Sequence, residues 1–188
     1  MAVQAGRHSL DTQRSRIVLR TARDGLAAQA GHDLTIEAAR WSGELTVGDD
    51  LVPTALEARI DMGALVVREG TGGVKPLTDR DKREIAVTAR KVLAADRNPE
   101  AVFTATGFQP DGNGGGTVSG TFTLAGVQRP LSLKVGQTGP DRYRATGSVR
   151  QSDYGIKPYS GFLGALKVRD AVGIEAEIDL SDPAEVPA

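Results

Sequence analysis

Short segments of alternating apolar and polar residues make up most of this sequence, and glycine or proline separates them. Alternation at every second residue places the apolar side chains on one face of a β-strand. Residues 118–135, VSGTFTLAGVQRPLSLKV, show it best and predict a hairpin. Similar segments lie at 16–22, 32–38, 42–48, 54–62, 101–108, 142–149 and 166–180. The pattern predicts a mainly β fold, an antiparallel eight-stranded barrel or a sandwich.

Residues 76–99 break this rhythm and predict a helical insertion around residues 78–95. Thr78 is a candidate N-cap, with acidic residues in the first turn and basic residues near the end, the order that a helix dipole favours. An apolar stripe at helical spacing consists of Ile85, Ala89 and Leu93. Nearby β-branched residues lower helix propensity, so one helix and two short helices are both open.

Length and composition limit the classes of protein to which this chain can belong. A chain of 188 residues is expected to form one domain, 9–181, between a flexible N-terminus at 1–8 and a flexible tail at 182–188. Cysteine is absent, which excludes disulfides, thiolate metal sites and cysteine nucleophiles. The 23 basic and 24 acidic residues nearly cancel, so we expect no nucleic-acid partner. We see no signal peptide and no membrane-spanning segment, and expect a cytoplasmic protein.

Residues that could carry chemistry are few. With His8 and His32 as the only histidines, the sequence predicts no metal site. The GHD segment at 31–33 either sets an imidazole beside a carboxylate or simply begins a strand. The segment SDYGIKPYSG, 152–161, gathers Asp153, Tyr154 and Lys157, and a nearby ammonium would lower the pKa of a phenol. We interpret this segment as a loop that covers a barrel end, and predict no catalytic residues.

Four segments together resemble the YceI-like family of lipocalin-like, polyisoprenoid-binding barrels, over roughly residues 9 to 180. The hairpin at 118–135 is similar to the family's G-x-L-T-L-x-G-V-T-x-P-V hairpin. The helical segment with DRDK, followed by RNPEAVFTA, the loop SDYGI, and the late strand KVRDAVGIEAEIDL follow in the family's order. One position departs from the pattern, because Arg23 stands where many members carry a histidine. His32 is not an obvious counterpart of that histidine.

The resemblance implies a barrel that holds a long apolar chain, with the helix at its side or mouth. Small residues on the presumed inner face, namely Ala58, Ala105, Gly107, Gly120 and Ala176, would leave volume there. The predicted cavity residues are Ile17, Leu19, Leu34, Ile36, Leu45, Leu56, Ile60, Ile85, Leu93, Phe103, Phe122, Leu124, Leu131, Leu133, Ile174 and Ile178. At the cavity mouth we predict Tyr154, Tyr159 and Phe162.

The expected function is non-covalent binding, storage or transport of an isoprenoid or similar amphiphilic lipid, with no other cofactor. Two alternatives stay open. One is an enzyme that acts on a lipid-like substrate through the 152–161 loop, and the other is a ligand-free structural or stress-related module whose side chains fill the barrel. A homodimer formed through an exposed strand edge is also open.

Overall fold

The structure is a computed structural model that describes residues 3–181, and the predicted tail at 182–188 lies outside these residues. Fourteen strands and one α-helix follow one another along the described chain. The strands are β1 (Gly6–Asp11), β2 (Arg16–Thr21), β3 (Arg23–Asp24), β4 (His32–Ala38), β5 (Trp41–Val47), β6 (Pro53–Asp61), β7 (Leu65–Gly72), β8 (Glu100–Pro110), β9 (Gly116–Leu124), β10 (Val127–Gly139), β11 (Arg142–Arg150), β12 (Ser160–Gly161), β13 (Leu166–Val168) and β14 (Ala171–Asp179). The helix is α1 (Asp79–Val92).

Eleven of these strands form one curled antiparallel sheet, and β12, β13 and β3 form a small second sheet. The order in the large sheet is β1-β5-β6-β8-β9-β10-β11-β14-β2-β4-β7. The predicted count of eight strands is therefore wrong. β1 pairs from Gly6, within the N-terminus predicted to be flexible, and β7 was not predicted at all. The predicted strand at 166–180 is interrupted between β13 and β14.

Two pairs of strands are joined by very short connections. Only residues 39–40 separate β4 from β5, and 62–64 separate β6 from β7. Across these connections the backbone N–H of Ala39 donates to the carbonyl of Ala64 at 2.9 Å, and the N–H of Asp61 donates to that of Arg40 at 3.0 Å. β4–β5 and β6–β7 thus form one two-stranded ribbon that connects the two ends of the strand order, because β5 and β6 lie near one end and β4 and β7 at the other.

The hairpin predicted at 118–135 is confirmed and consists of β9 and β10. Leu131 faces Gly120 and Leu133 faces Val118 across β9 and β10, so their side chains lie on the same face. The two-residue turn contains Ala125 and Gly126, with φ of 50° and 77°. Positive φ at both turn residues suits the twist of a hairpin.

The helical segment forms one continuous helix rather than two. The Thr78 hydroxyl accepts from the backbone N–H of Asp81 at 3.2 Å, and the Asp81 carboxylate accepts from that of Thr78 at 2.8 Å. This reciprocal capping starts the helix. The Thr78 hydroxyl also donates to the Asp81 carboxylate at 2.7 Å, and this bond, with the one from the Thr78 backbone N–H, lowers the pKa of Asp81. α1 packs along β7, at one end of the strand order, and Ile85 and Leu93 contact the core.

Arginine–carboxylate pairs tie neighbouring strands together on the outer face of the sheet. Glu37 on β4 accepts from the Nε of Arg16 on β2 at 2.9 Å and from two nitrogens of Arg68 on β7 at 2.9 and 3.0 Å. The hydrogen bond from Arg68 is the main cause that lowers the pKa of Glu37 below 4.5. One carboxylate therefore links three strands.

Glu37→Gln is expected to lower the free energy of unfolding at pH 7 by about 1–2 kcal/mol, because it removes the ionised acceptor. Since the folded protein lowers this pKa, the carboxylate stabilises the fold above the unfolded pKa and stops doing so as the pH falls through the folded one. Chemical denaturation should therefore show a difference between variant and wild type that shrinks from about pH 5 to about pH 3. A difference that is constant with pH would contradict this role.

Candidate binding cavity

A cavity of about 1360 Å³ lies inside the curled sheet. Its wall contains side chains from most strands of the large sheet and from α1. It reaches the loop end of the barrel, which we define by segments 22–31, 73–77 and 151–170, and the hairpin end, defined by turns 48–52, 111–115 and 140–141. The cavity is therefore an elongated space parallel to the barrel rather than a pocket at one edge.

Every predicted cavity residue lies on this wall. They are Ile17, Leu19, Leu34, Ile36, Leu45, Leu56, Ile60, Ile85, Leu93, Phe103, Phe122, Leu124, Leu131, Leu133, Ile174 and Ile178.

The wall also contains apolar residues that the sequence analysis did not select. They include Leu10, Ala38, Trp41, Val47, Met62, Leu65, Val135, Tyr143, Val149, Val172 and Leu180. Tyr143, Val149 and Val172 lie on predicted strands in phase with their neighbours, so extending the alternation to the strand ends would have found them. Leu65 belongs to β7, the strand that was not predicted.

Fewer small residues line the cavity than predicted. Ala58 and Ala176 do line the cavity, whereas Ala105, Gly107 and Gly120 do not. A Cβ placed on Gly120 would lie 2.8 Å from the ring of Phe103 and 2.4 Å from the carbonyl oxygen of Thr104. The space beside Gly120 is therefore occupied by an aromatic ring.

One polar group of the wall has no hydrogen-bond partner. The indole Nε1–H of Trp41 is buried, and it is the only buried side-chain nitrogen or oxygen in residues 3–181 without a partner. The Trp41 side chain lines the cavity near the start of β5. A buried donor without an acceptor costs about 1–3 kcal/mol.

The loop SDYGI is fixed to the start of β14. Both the backbone N–H and the hydroxyl of Ser152 donate to the carboxylate of Asp170, at 2.7 and 2.5 Å, and they lower its pKa. The side-chain amide of Gln151 donates to the carbonyl of Arg169 at 2.9 Å. Two segments that carry the family resemblance are thus one hydrogen-bonded unit.

Tyr154 is not at the mouth, contrary to the prediction. It is only 3% exposed, and its ring meets that of Phe122 edge-on at 5.8 Å between centroids. Tyr154 supports the wall from behind, since it is not among the lining residues. Burial is the main cause that raises the pKa of its phenol, opposite to the lowered pKa that a Tyr–Lys acid–base pair would need.

In the GHD segment, the histidine and the carboxylate contact different partners. His32 Nε2 forms a hydrogen bond with the backbone carbonyl of Lys75 at 2.8 Å. The carboxylate of Asp33 accepts from the backbone N–H of Arg23 at 2.8 Å, and the Arg23 guanidinium donates to the carbonyl of Gly31 at 2.8 Å. These contacts hold the start of β4 in place, and Arg23 connects loop backbone at the position of the family's histidine.

Two predicted mouth residues, Tyr159 and Phe162, line the cavity and are well exposed at the loop end. Phe162 and Leu163 have φ of 48° and 54°, in the left-handed region that bulky residues rarely adopt. Such a conformation costs about 1–3 kcal/mol for each residue. Leu163 is fully exposed, so its own packing does not compensate for this strain.

A curled antiparallel sheet around an elongated apolar cavity defines a class of β-barrel-like proteins. The chain belongs to the YceI-like family, because the model of the YceI-like domain matches residues 8–180. Within residues 3–181, no helix has both the length and the apolar character needed to cross a bilayer.

Known relatives agree with this assignment. A UPF0312 protein from Shewanella sp. (strain ANA-3) is 30% identical over 126 residues, which are 62% of this chain and 61% of the relative. The chain therefore spans about three fifths of the length of the curated relatives it matches.

Solved structures share the fold at low sequence identity. The structure of Burkholderia cenocepacia BcnA has a TM-score of 0.60 at 15% identity and covers 87% of this chain and 94% of its own. The Campylobacter jejuni YCEI protein has a TM-score of 0.55 at 17% identity, with 79% and 85% covered. At such low sequence identity, the similarity to these structures concerns the fold only.

Proposed function

We propose that this chain binds a long apolar or amphiphilic molecule, an isoprenoid or a similar lipid, non-covalently inside the cavity, for storage or transport. The observation that supports this most strongly is the elongated cavity with its aliphatic and aromatic wall. Membership of a family known as polyisoprenoid-binding agrees with it.

The size of the cavity argues against an empty barrel. A dry void would be costly, because the free-energy cost of a cavity rises with its volume. Water that fills it would instead wet an apolar wall. An apolar guest avoids both, and each methylene moved from water into the cavity gains about 0.8 kcal/mol before ordering costs.

Native mass spectrometry of protein purified without detergent, followed by denaturation and extraction, tests the proposal. A retained and releasable organic-soluble mass of several hundred daltons is expected. In titrations with an isoprenoid quinone, fluorescence of Trp41, the only tryptophan, should be quenched because the quinone lies beside it. A bare polypeptide mass together with unchanged fluorescence would contradict the proposal.

The indole N–H of Trp41 favours a guest that carries a hydrogen-bond acceptor. A carbonyl oxygen that reached this donor would supply its missing partner, whereas a pure hydrocarbon would leave it unpaired. Among isoprenoids, a quinone meets this requirement.

Trp41→Phe is expected to weaken quinone binding about five- to tenfold and to leave the binding of a hydrocarbon of equal chain length unchanged, because the ring stays apolar while the donor is lost. Equilibrium dialysis of both guests against both proteins measures this. An equal loss for the two guests would show that Trp41 acts through its shape alone.

A further inference from the structure

We propose that the loop end of this protein docks on the surface of an anionic lipid bilayer. Five of the seven large apolar side chains that are well exposed in residues 3–181 lie at this end. We call them the mouth patch: Leu26, Val74, Tyr159, Phe162 and Leu163. The opposite end contributes Leu51, and α1 contributes Val87.

The mouth patch is one surface. The backbone N–H of Ala27 donates to the carbonyl of Ala165 at 2.8 Å, which brings the loop of Leu26 beside that of Leu163. The N–H of Val168 donates to the carbonyl of Tyr159 at 3.0 Å. The third loop follows β7, whose last residue, Gly72, faces His32 across the sheet. All three loops surround the end of the cavity at which Phe162 and Tyr159 line the wall.

The backbone keeps these side chains exposed at a cost. Phe162 and Leu163 are left-handed in succession, yet their side chains are 70% and 110% exposed. Strained positions persist where the surrounding structure fixes them, and they are concentrated at functional sites. Large apolar side chains held in water around an opening mark a surface that meets a partner.

Charge selects an anionic bilayer as that partner. The three segments of the loop end carry five cations and three carboxylates, a local net charge of +2 in a chain whose net charge is −1. The carboxylates are Asp24, Asp153 and Asp170, and the cations include Lys157, Lys167 and Arg169. These three cations are exposed, and no ion pair in the described residues includes them. Cations without an ion-pair partner attract acidic lipid headgroups, and the apolar side chains beside them insert at the boundary between headgroups and acyl chains.

Flotation of the ligand-free protein with vesicles tests this proposal independently of the cavity function. Binding is expected to vesicles of phosphatidylcholine with 30% phosphatidylglycerol, to weaken with added salt, and to be much weaker with phosphatidylcholine alone. Absence of binding to the anionic vesicles would overturn the proposal, whatever the cavity holds. A protein partner at this surface would give that same negative result.

Leu26→Ser/Leu163→Ser changes two exposed residues that do not line the cavity. It is expected to weaken binding to the anionic vesicles roughly a hundredfold or more, since each side chain loses its transfer from water. The matched control is Leu51→Ser/Val87→Ser, because Leu51 is also exposed and left-handed, with φ of 61°. An equal loss in both proteins would overturn the assignment to the loop end.

A further pair of double variants tests whether the cations of the loop end contribute to vesicle binding. Lys157→Gln/Lys167→Gln should weaken binding about fivefold per cation, whereas Lys91→Gln/Lys134→Gln, at exposed sites elsewhere, should not.

Leu163→Gly removes the apolar tip and relieves the left-handed backbone, so vesicle binding should fall while Tm stays the same or rises by about 2 °C. A parallel fall in both would indicate a structural role for Leu163 instead.

Discussion

Replacing Leu133 by glutamate is expected to abolish uptake of an isoprenoid quinone, with a loss of affinity of at least about a hundredfold. Leu133 lies on β10 with its side chain on the cavity wall, and it is only partly buried. Water that fills the ligand-free cavity can hydrate the new carboxylate, so the fold should survive. A guest would displace that water and leave the charge in an apolar space, at a cost of several kcal/mol.

The neighbouring residue provides the control. Lys134 lies on the same strand with its side chain on the outer face, where it is exposed. Lys134→Glu introduces the same charged group one residue away and should leave quinone binding unchanged. Dialysis binding and near-ultraviolet circular dichroism of both variants check this. Full binding by a folded Leu133→Glu protein would remove this part of the wall from the binding site.

Gly120→Ala is expected to lower the free energy of unfolding by about 2–3 kcal/mol, a fall in Tm of about 6–9 °C. The added methyl group would lie 2.8 Å from the ring of Phe103 and 2.4 Å from the backbone oxygen of Thr104. Because the second of these is backbone, the clash is not relieved by a rotamer change, and β8 and β9 must move apart.

Gly107 provides the comparison, since it lies on β8 in the register pair next to Ala105–Gly120. A Cβ at Gly107 meets no atom within 4 Å, and its φ is not in the left-handed region. Gly107→Ala should therefore change Tm by no more than about 2 °C. Equal thermal unfolding curves for the two variants would contradict this difference, because they would show that β8 and β9 separate around the added methyl group at no cost.

Strand faces could be predicted from the sequence because the side-chain period in a strand is two. Once Leu131 and Leu133 are assigned to one face, they cannot leave it without a slip of the whole register. The same rule placed residues from strands far apart in the chain, such as Ile17 and Ile178, on a common cavity wall.

The features that the sequence analysis missed depend on contacts between distant segments. β7 contains Val66 and Val67 in succession, which breaks the alternation, and its register with β4 shifts at a bulge. Tyr154 is buried because Ser152 is fixed to Asp170, a contact that spans 18 residues. Gly120 makes room for a ring on the adjacent strand, so its role depends on the pairing of β8 with β9.

The position of α1 along β7 makes one wall of the barrel more compliant than the others. Between two paired strands, widening the cavity would break ladder hydrogen bonds, at about 1 kcal/mol each. β7 is the last strand of the order, and the helix that contacts it packs through side chains such as Ile85, so that wall can yield by repacking alone. We therefore expect guests of different girth to be accommodated there, while the rest of the sheet keeps a constant radius.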